Sequence, residues 1–359
     1  MSAIDPASWR RVLVVKMFAM GDVLNATPVF RALRRALPGC RIDLVVGQWS
    51  AAAVAGNPNI DEAVVFDDAE LRSQGIGGIW RFVRRLRSRR YDAAVILHRA
   101  VRVNAMIAAC GVPVRAGIGW KGRGPFLTRQ AYEGPETSGH EIRRYLNVLS
   151  VLGIPDAGEE MEFFVPDADS LSAERILEEN GAERPVVLCP GGASNPGEEM
   201  PTRRWPVSHY AELARRLLAE GERVVILGGT GDAPIARRIA GMDGRVLDLT
   251  GRLRLGESAG VMKKAAAVVT HDSGLLHLAA AVGAPLVALF GPTDPRIKFP
   301  PGGRSRLVYR GEACSPCYDR GRFPACSHQR CLALVTPDQV MEEVAQVMSR
   351  PSVISGKTT

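Results

Sequence analysis

The sequence has no uninterrupted apolar run long enough to span a bilayer, and its first residues show no basic-then-apolar secretory pattern. We therefore expect a cytoplasmic protein. Basic stretches interleaved with aromatic residues are also absent, as are nucleic-acid-binding motifs, so nucleic acid is not an expected partner. No carboxylate-rich Mg²⁺ site is evident beyond Asp272 and Asp294. A catalytic metal is therefore not expected.

What is present fits a soluble globular protein of two domains. The chain has 359 residues, of which 46% are hydrophobic and 23% charged. Its net charge of +8 comes mainly from arginine, and most of the positive excess falls in residues 1–165. Such a surface attracts anionic membranes or phosphorylated substrates, although solvated basic helix faces would give the same composition.

Strand and helix patterns alternate along the chain. A strand over 11–16, a helix over 22–37 and a strand over 41–46 open the first half, and the alternation restarts with a strand over 185–190. Each half therefore predicts a doubly wound parallel sheet, and the fold class is α/β. Two facing Rossmann-like domains with a cleft between them form the GT-B architecture of sugar transferases, although a fold alone does not fix function.

The expected division places domains at 1–165 and 166–335, the second with a cysteine-rich loop at 314–331. A C-terminal helix follows at 336–349 and a flexible tail at 350–359.

The stretch from His271 to His277 carries the clearest sign of a binding site. It predicts a buried strand, a turn at Asp272-Ser273-Gly274 and an Ala-rich helix, an arrangement that binds anions such as a diphosphate at the helix start. Asp and Ser before a helix are also common as simple caps. The loop Gly291-Pro292-Thr293-Asp294-Pro295 follows the next strand, where ligands collect in such sheets, and this favours a site.

Three motifs together resemble the bacterial ADP-heptose:lipopolysaccharide heptosyltransferases, glycosyltransferase family nine. They are Val14–Leu24 with Thr27-Pro28, then Pro190-Gly191 with Arg203-Arg204-Trp205-Pro206 and His209-Tyr210, then His271–His277 with Gly291-Pro292-Thr293. The match covers nearly the whole chain in the right order. The Arg-Arg-Trp-Pro string is more similar to the second heptosyltransferase than to the first.

The resemblance implies an inverting transfer of heptose from ADP-L-glycero-D-manno-heptose to the inner core of lipopolysaccharide. It places the catalytic base on Asp22, for which a helix-start role is the alternative, and the acceptor near Lys16, Met20 and Gly21. The N-terminal domain would bind this anionic acceptor at the inner-membrane surface, with the enzyme cytoplasmic or peripheral on that membrane. No cofactor would be required.

The resemblance also implies the donor site. The family has a lysine where this chain has Arg203, and Arg203 is the second predicted catalytic residue. Arginine keeps the positive charge and can bind a phosphate in bidentate fashion. Whether Arg203 or Arg204 reaches the diphosphate stays open. Asp232 is placed for the ribose, and a plain loop carboxylate is the alternative. The predicted donor-binding residues are Ser194, Asn195, Arg204, Asp232, Asp272, Ser273, Gly274 and His277.

Four cysteines lie close together in sequence at 314, 317, 326 and 331. Cys314, Cys317, Cys326 and Cys331 form a candidate structural zinc site, with a reduced cysteine-rich loop as the alternative.

The function also has alternatives: a family-nine enzyme for another sugar, a GT-B-fold nucleotide-sugar epimerase, or a non-catalytic nucleotide-sugar-binding protein.

Overall fold

The structure is a computed structural model that describes residues 5–67, 73, 75–120, 124–133, 139–192, 194–195, 198–318 and 323–349. The chain divides into two compact units, Met1–Phe164 and Val165–Thr359. The tail predicted at 350–359 lies outside the described residues. Within the described ranges, no helix is long and apolar enough to cross a membrane.

The first unit is built on one parallel sheet whose central strands are apolar and buried. Its strands are β1 (Arg11–Val15), β2 (Arg41–Gly47), β3 (Glu62–Phe66), β4 (Ala93–Ile96), β5 (Val114–Trp120) and β6 (Arg129–Glu133). They lie in the order β3-β2-β1-β4-β5-β6, and every pairing is parallel. In register, Val12 of β1 lies between Ile42 and Ala93.

The helices of the first unit are α1 (Met20–Leu24), α2 (Thr27–Ala36), α3 (Gly75–Ser88), α4 (Val101–Ala109) and α5 (Glu141–Ser150). The single helix predicted over 22–37 was therefore wrong, because the chain breaks it into α1 and α2. Pro28 has no amide hydrogen to donate to the Leu24 carbonyl one turn back. The hydroxyl of Thr27 donates to that carbonyl instead, at 2.7 Å.

The second unit repeats the same plan. Its strands are β7 (Val186–Cys189), β8 (Ser194–Asn195), β9 (Glu198–Glu199), β10 (Val224–Ile226), β11 (Leu247–Asp248), β12 (Ala267–His271), β13 (Leu286–Phe290) and β14 (Ser305–Tyr309). Its helices are α6 (Asp167–Glu179), α7 (Val207–Ala219), α8 (Ala233–Ala240), α9 (Leu255–Lys264), α10 (Gly274–Ala281), α11 (Pro295–Lys298), α12 (Arg330–Ala333) and α13 (Pro337–Ser349). The parallel sheet runs β11-β10-β7-β12-β13-β14, while β8 and β9 form a separate antiparallel pair.

Both sheets reverse their strand order at one point, between β1 and β4 in the first unit and between β7 and β12 in the second. In open sheets of this kind, the loops that leave the carboxyl ends of those strands separate and leave room for a ligand. The α/β fold with two Rossmann-like halves that the sequence predicts is confirmed, and these two points are where a site is expected.

Aromatic packing fixes the segment that follows the β8–β9 hairpin. Trp205 is fully buried, packs edge-on against Tyr210 with ring centres 4.8 Å apart, and donates from its indole nitrogen to the Val335 carbonyl at 3.0 Å. Removing a buried Trp side chain of this kind costs about 3–5 kcal/mol. The anchor holds Arg203 and Arg204, the two preceding residues, in place at the sheet edge.

Candidate functional site

In the first unit, a lysine and a carboxylate meet just beyond the end of β1. Lys16 follows the last residue of the strand, and its Nζ lies 3.1 Å from Oδ2 of Asp22 in α1. The lysine side chain is 7% exposed and the aspartate side chain 29% exposed. The carboxylate is therefore the member of this pair that faces solvent.

The buried lysine is held from the other side by α5. Its Nζ lies 5.3 Å from the centre of the Tyr145 ring, a favourable position for a cation over an aromatic face. Burial raises the pKa of Tyr145 well above its usual value, and the negative charge of Asp22 adds to the effect. The phenol therefore stays protonated, and the charged pair of Lys16 and Asp22 rests on a neutral ring.

The end of β4 supplies a histidine and an arginine beside this pair. Burial and the charge of Lys16 lower the pKa of His98 to about 4, so its ring is neutral near pH 7. Arg99 forms an ion pair with the buried Glu141, at 3.1 Å. Sequence reasoning missed His98 and Arg99, although both lie within three residues of the end of the buried strand that neighbours β1, which is a usable signal.

The predicted acceptor residues lie in the same loop and helix. Ala19 is the cap residue of α1, and no side chain caps that end of the helix. Met20 is partly buried and Gly21 buried, and Asp22 lies in the first turn. The structure thus brings Lys16, Met20, Gly21 and Asp22 together at one strand end, while their acceptor and base roles stay predictions.

In the second unit, a carboxylate and an arginine meet just beyond the end of β12. Nη2 of Arg203 lies 2.7 Å from Oδ2 of Asp272, with side chains 16% and 4% exposed. Burial alone would raise the pKa of Asp272, but the positive charges of Arg203 and His277 hold it below its usual value. Here the carboxylate is the more deeply buried member of the pair, and the arginine side chain is the more accessible one.

The helix that follows starts without a side-chain cap. Ser273 occupies the cap position of α10, but its side chain accepts no hydrogen bond from the helix. Its Oγ lies 3.4 Å from the Thr270 hydroxyl instead. Ser273 therefore does not form the simple helix cap that was the alternative to an anion site. The dipole of this helix start remains available to an anion.

Glycine lets the neighbouring loop approach this helix start closely. Gly192, after β7, has a φ of +78°, and a Cβ atom there would lie 3.2 Å from the Cβ of Ser273. A side chain at position 192 would therefore be strained and crowded. The loops after β7 and β12 lie directly against each other at the point where the strand order reverses.

The two adjacent arginines have different partners. Arg204 donates from Nε and Nη2 to the carbonyl oxygen of Gly192, at 3.0 and 2.9 Å, and its Nη2 also reaches Glu199 at 3.3 Å. It fastens the loop after β7 through the backbone. Arg203 instead faces Asp272 at the start of α10, so Arg203 is the nearer of the two to the candidate anion site.

Asp232 joins two loops of the second sheet. Its two carboxylate oxygens accept from the amides of Gly192 and Gly229, each at 2.8 Å. A Cβ at Gly191 would fall 2.1 Å from the carboxyl carbon, so that position has no room for a side chain. These contacts fit the alternative interpretation from the sequence, in which Asp232 is a plain loop carboxylate. The role of Asp232 in donor binding stays a prediction.

The two histidines of the stretch from His271 to His277 differ in their surroundings. His271 is fully buried, its Nδ1 lies 3.2 Å from the Tyr210 hydroxyl, and burial and Arg203 lower its pKa to about 3. It is a neutral packing group. His277 lies on α10 and is 4% exposed, and its electrostatic interaction with Asp272 lowers the pKa of that carboxyl. His277 is thus the histidine placed near the candidate anion site.

The loop predicted to line the donor forms a short hairpin. Ser194 pairs with Glu199 and Asn195 with Glu198 across β8 and β9. The side chains of Ser194 and Asn195 lie outside the described residues, so their predicted roles stay predictions.

The four clustered cysteines line one small pocket together with His328 and Pro292. The amide of Gln329 donates to Sγ of Cys326 at 3.4 Å, and the amide of Cys317 to the Pro292 carbonyl at 2.9 Å. As placed, however, no three Cys, His, Asp or Glu side chains within the described ranges are arranged to hold a metal ion. The thiols do not form a ready zinc site, and the zinc stays a prediction.

Comparisons with known proteins agree with the motifs. The family model for glycosyltransferase family 9 (heptosyltransferase) matches residues 79–326. The chain is 27% identical to lipopolysaccharide heptosyltransferase 2 of Salmonella typhimurium, over 96% of this chain and 100% of that protein. It is 25% identical to lipooligosaccharide heptosyltransferase 2 of Haemophilus influenzae, over 94% of this chain and 99% of that protein.

Solved structures show the same fold. Escherichia coli ADP-heptose LPS heptosyltransferase II superimposes with a TM-score of 0.77 at 25% identity, over 94% of this chain and 98% of that one. A family 9 glycosyl transferase from Veillonella parvula gives a TM-score of 0.81 at 23% identity, over 97% and 99% of the two chains.

Proposed function

Since the chain belongs to glycosyltransferase family 9 and is a glycosyltransferase enzyme, we propose that it transfers heptose from ADP-L-glycero-D-manno-heptose to the inner core of lipopolysaccharide. The observation that carries the proposal is the opposite polarity of its two charged pairs. In the first unit the more accessible member of the pair is the carboxylate of Asp22, and in the second it is the cation of Arg203. Removing a proton needs the first, and stabilising a departing diphosphate needs the second.

The acceptor reacts through the first unit. The carboxylate of Asp22 accepts the proton of an acceptor hydroxyl as the hydroxyl oxygen bonds to the anomeric carbon of the donor. Lys16, at 3.1 Å, holds the carboxylate in position before the proton arrives. Attack from the face opposite the leaving group gives a product of inverted anomeric configuration.

The donor binds through the second unit. As the bond between the anomeric carbon and the diphosphate oxygen breaks, the electron pair leaves with ADP. Arg203, the Ser273 hydroxyl and the amides at the start of α10 stabilise this charge. Arg204 and Asp232 shape the loop after β7 that lies beside Ser273. The proposed reaction balances in atoms and charge with no cofactor.

The acceptor is phosphorylated and sits on the cytoplasmic face of the inner membrane, so we place the enzyme in the cytoplasm and at that membrane. The first unit carries most of the net positive charge, which suits an acceptor of this charge.

The test is a transfer assay with ADP-heptose and a Kdo-bearing lipid A acceptor, followed by measurement of the linkage configuration by NMR. We expect transfer with an inverted linkage, and we expect UDP- and GDP-sugars to be inactive. A preference for another nucleotide sugar, conversion of the donor without transfer, or binding of ADP without turnover of any sugar would each contradict the proposal.

A structural zinc at the cysteine pocket remains a separate proposal. Metal analysis of protein purified without added zinc should give one zinc per chain, and Cys326→Ser should lose it. Protein that is free of zinc and of other metals, with an unchanged melting temperature after chelator treatment, would contradict it.

A further inference from the structure

Helix α3 presents apolar side chains to solvent over its first two turns. Ile76 is 75% exposed, Ile79 45% and Trp80 53%. Large apolar side chains grouped on one surface of a soluble protein often mark a site of interaction with a membrane or a partner.

The inner side of α3 is firmly packed. Phe82, Val83 and Leu86 are buried in the core of the first unit, and the Phe82 ring packs edge-on against Phe66 with centres 5.1 Å apart. The exposure of Ile76, Ile79 and Trp80 is therefore a property of a helix held in one orientation. Ile76, Ile79 and Trp80 continue the helical stripe of Phe82, Val83 and Leu86 toward the helix start, where that stripe is exposed.

The charge of α3 is of one sign. Residues 75–88 contain Arg81, Arg84, Arg85 and Arg87 and neither aspartate nor glutamate. All four arginines are exposed. The apolar side chains at the start of the helix are thus followed directly by a run of positive charge.

The topology places the start of α3 at the edge of the sheet that carries Asp22. The sheet is parallel and α3 leaves the carboxyl end of β3, as α4 leaves that of β4, and the two helices pack side by side. Val101 at the start of α4 is 49% exposed, and Arg102 beside it is also exposed. The apolar and basic surface therefore continues onto a second helix start at this edge.

We propose that this surface, Ile76, Ile79, Trp80, Arg81 and Arg84 of α3, docks on an anionic phospholipid bilayer. Trp and Ile insert at the boundary between headgroups and acyl chains, and arginines bind the phosphates around them. A nucleic acid would satisfy the arginines but not the isoleucines, and a purely hydrophobic partner would not explain the run of charge. The inference deepens the proposed function by naming the surface that meets the membrane, and it does not depend on which sugar is transferred.

The experiment is sedimentation of the full chain with vesicles of phosphatidylglycerol and phosphatidylethanolamine, compared with vesicles of phosphatidylcholine alone. We expect binding to the anionic vesicles. The Ile76→Ser, Ile79→Ser, Trp80→Ser triple variant should lower the partition coefficient by at least about tenfold, because burying even one such apolar side chain fully contributes about that much. Arg81→Gln with Arg84→Gln should lower it by about fivefold per charge.

Matched controls lie in the second unit. Leu171→Ser and Met242→Ser remove similarly exposed apolar side chains, and Arg175→Gln removes an exposed helical arginine. These variants should bind vesicles like the native protein. Melting temperature and ADP affinity, measured on every variant, should stay at native values, because none of the changed residues belongs to the donor cluster.

Three results would overturn the proposal: no vesicle binding by the native chain, equal loss in the control variants, or a change of oligomeric state in the triple variant without a change in vesicle binding. Each of these would leave transfer to a detergent-solubilised acceptor intact. A failure of the docking surface can therefore be told apart from a failure of the proposed transferase.

Discussion

The two units share one strand order and place an ion pair at the same topological point, yet the pairs are oriented in opposite ways. After β1 the cation is buried and the carboxylate is 29% exposed, while after β12 the carboxylate is buried and the arginine is 16% exposed. One scaffold thus presents an anion in the first unit and a cation in the second. The more accessible member of each pair, rather than the pair itself, decides its chemistry.

The largest expected effect comes from removing the exposed anion. Asp22→Asn should reduce the rate of transfer by about 10²–10⁴-fold, because an amide cannot accept the acceptor's proton. Steady-state release of ADP, measured with saturating donor, checks this. Asp156→Asn changes an exposed carboxylate of the same unit and should leave the rate unchanged. Native turnover in the Asp22→Asn protein would show that Asp22 is not the catalytic base.

Removing the cation of the second pair should act on the donor. Arg203→Ala should weaken ADP binding about tenfold or more, the value of one charge-assisted hydrogen-bonding group, and Arg203→Lys should recover part of it. Calorimetric titration with ADP measures this.

Arg204→Ala is the matched comparison, because it loosens the Gly192 loop but leaves the cation beside Asp272. We expect a smaller loss of ADP affinity there. A larger loss of ADP affinity in Arg204→Ala than in Arg203→Ala would contradict the roles assigned to the two arginines.

A smaller effect is expected at Asp232, which we regard as a loop-positioning residue. Asp232→Asn replaces one accepting oxygen by a donor and leaves the amide of Gly192 or Gly229 unpaired, so the free energy of unfolding should fall by about 1–3 kcal/mol. Urea denaturation measures the change, with the exposed Glu183→Gln as control. Native stability combined with lost ADP affinity would instead support direct contact with the ribose.

The pH dependence of stability should also separate the units. The pKa of His271 is about 3 in the folded chain against an ordinary value of 6.5, so the unfolded chain binds more protons between these limits. The free energy of unfolding is therefore undiminished above about pH 6.5 and falls as pH drops toward 3. For His98 the free energy of unfolding falls over a narrower range, from about pH 6.5 to about pH 4.

Urea denaturation at a series of pH values tests this difference. His271→Gln should flatten the acid slope more than His98→Gln. Equal slopes in the two variants would show that the two histidines are equally accessible to protons.

Much of this could be read from the sequence, because local signals and tertiary placement coincide. The strand before Asp272 and the helix after it follow from hydrophobic pattern and turn residues, and the family motifs place Asp22 and Arg203. The break between α1 and α2 was missed although Pro28 signals it, since the apolar period continues through the break.

The remaining features depend on contacts between residues far apart in the chain. His98 is brought beside Lys16 and Asp22 by the pairing of β4 with β1. The division of labour between Arg203 and Arg204 follows from where the Gly192 carbonyl lies. Neighbouring identical residues carry no sequence signal that could separate these roles.

The most direct test of the opposite roles of the two pairs is one calorimetric comparison: ADP titrated into the native, Asp22→Asn and Arg203→Ala proteins under the same conditions. The account predicts native affinity, within about twofold, for Asp22→Asn and at least about tenfold weaker binding for Arg203→Ala. Equal weakening in both variants, or weakening in Asp22→Asn alone, would contradict it.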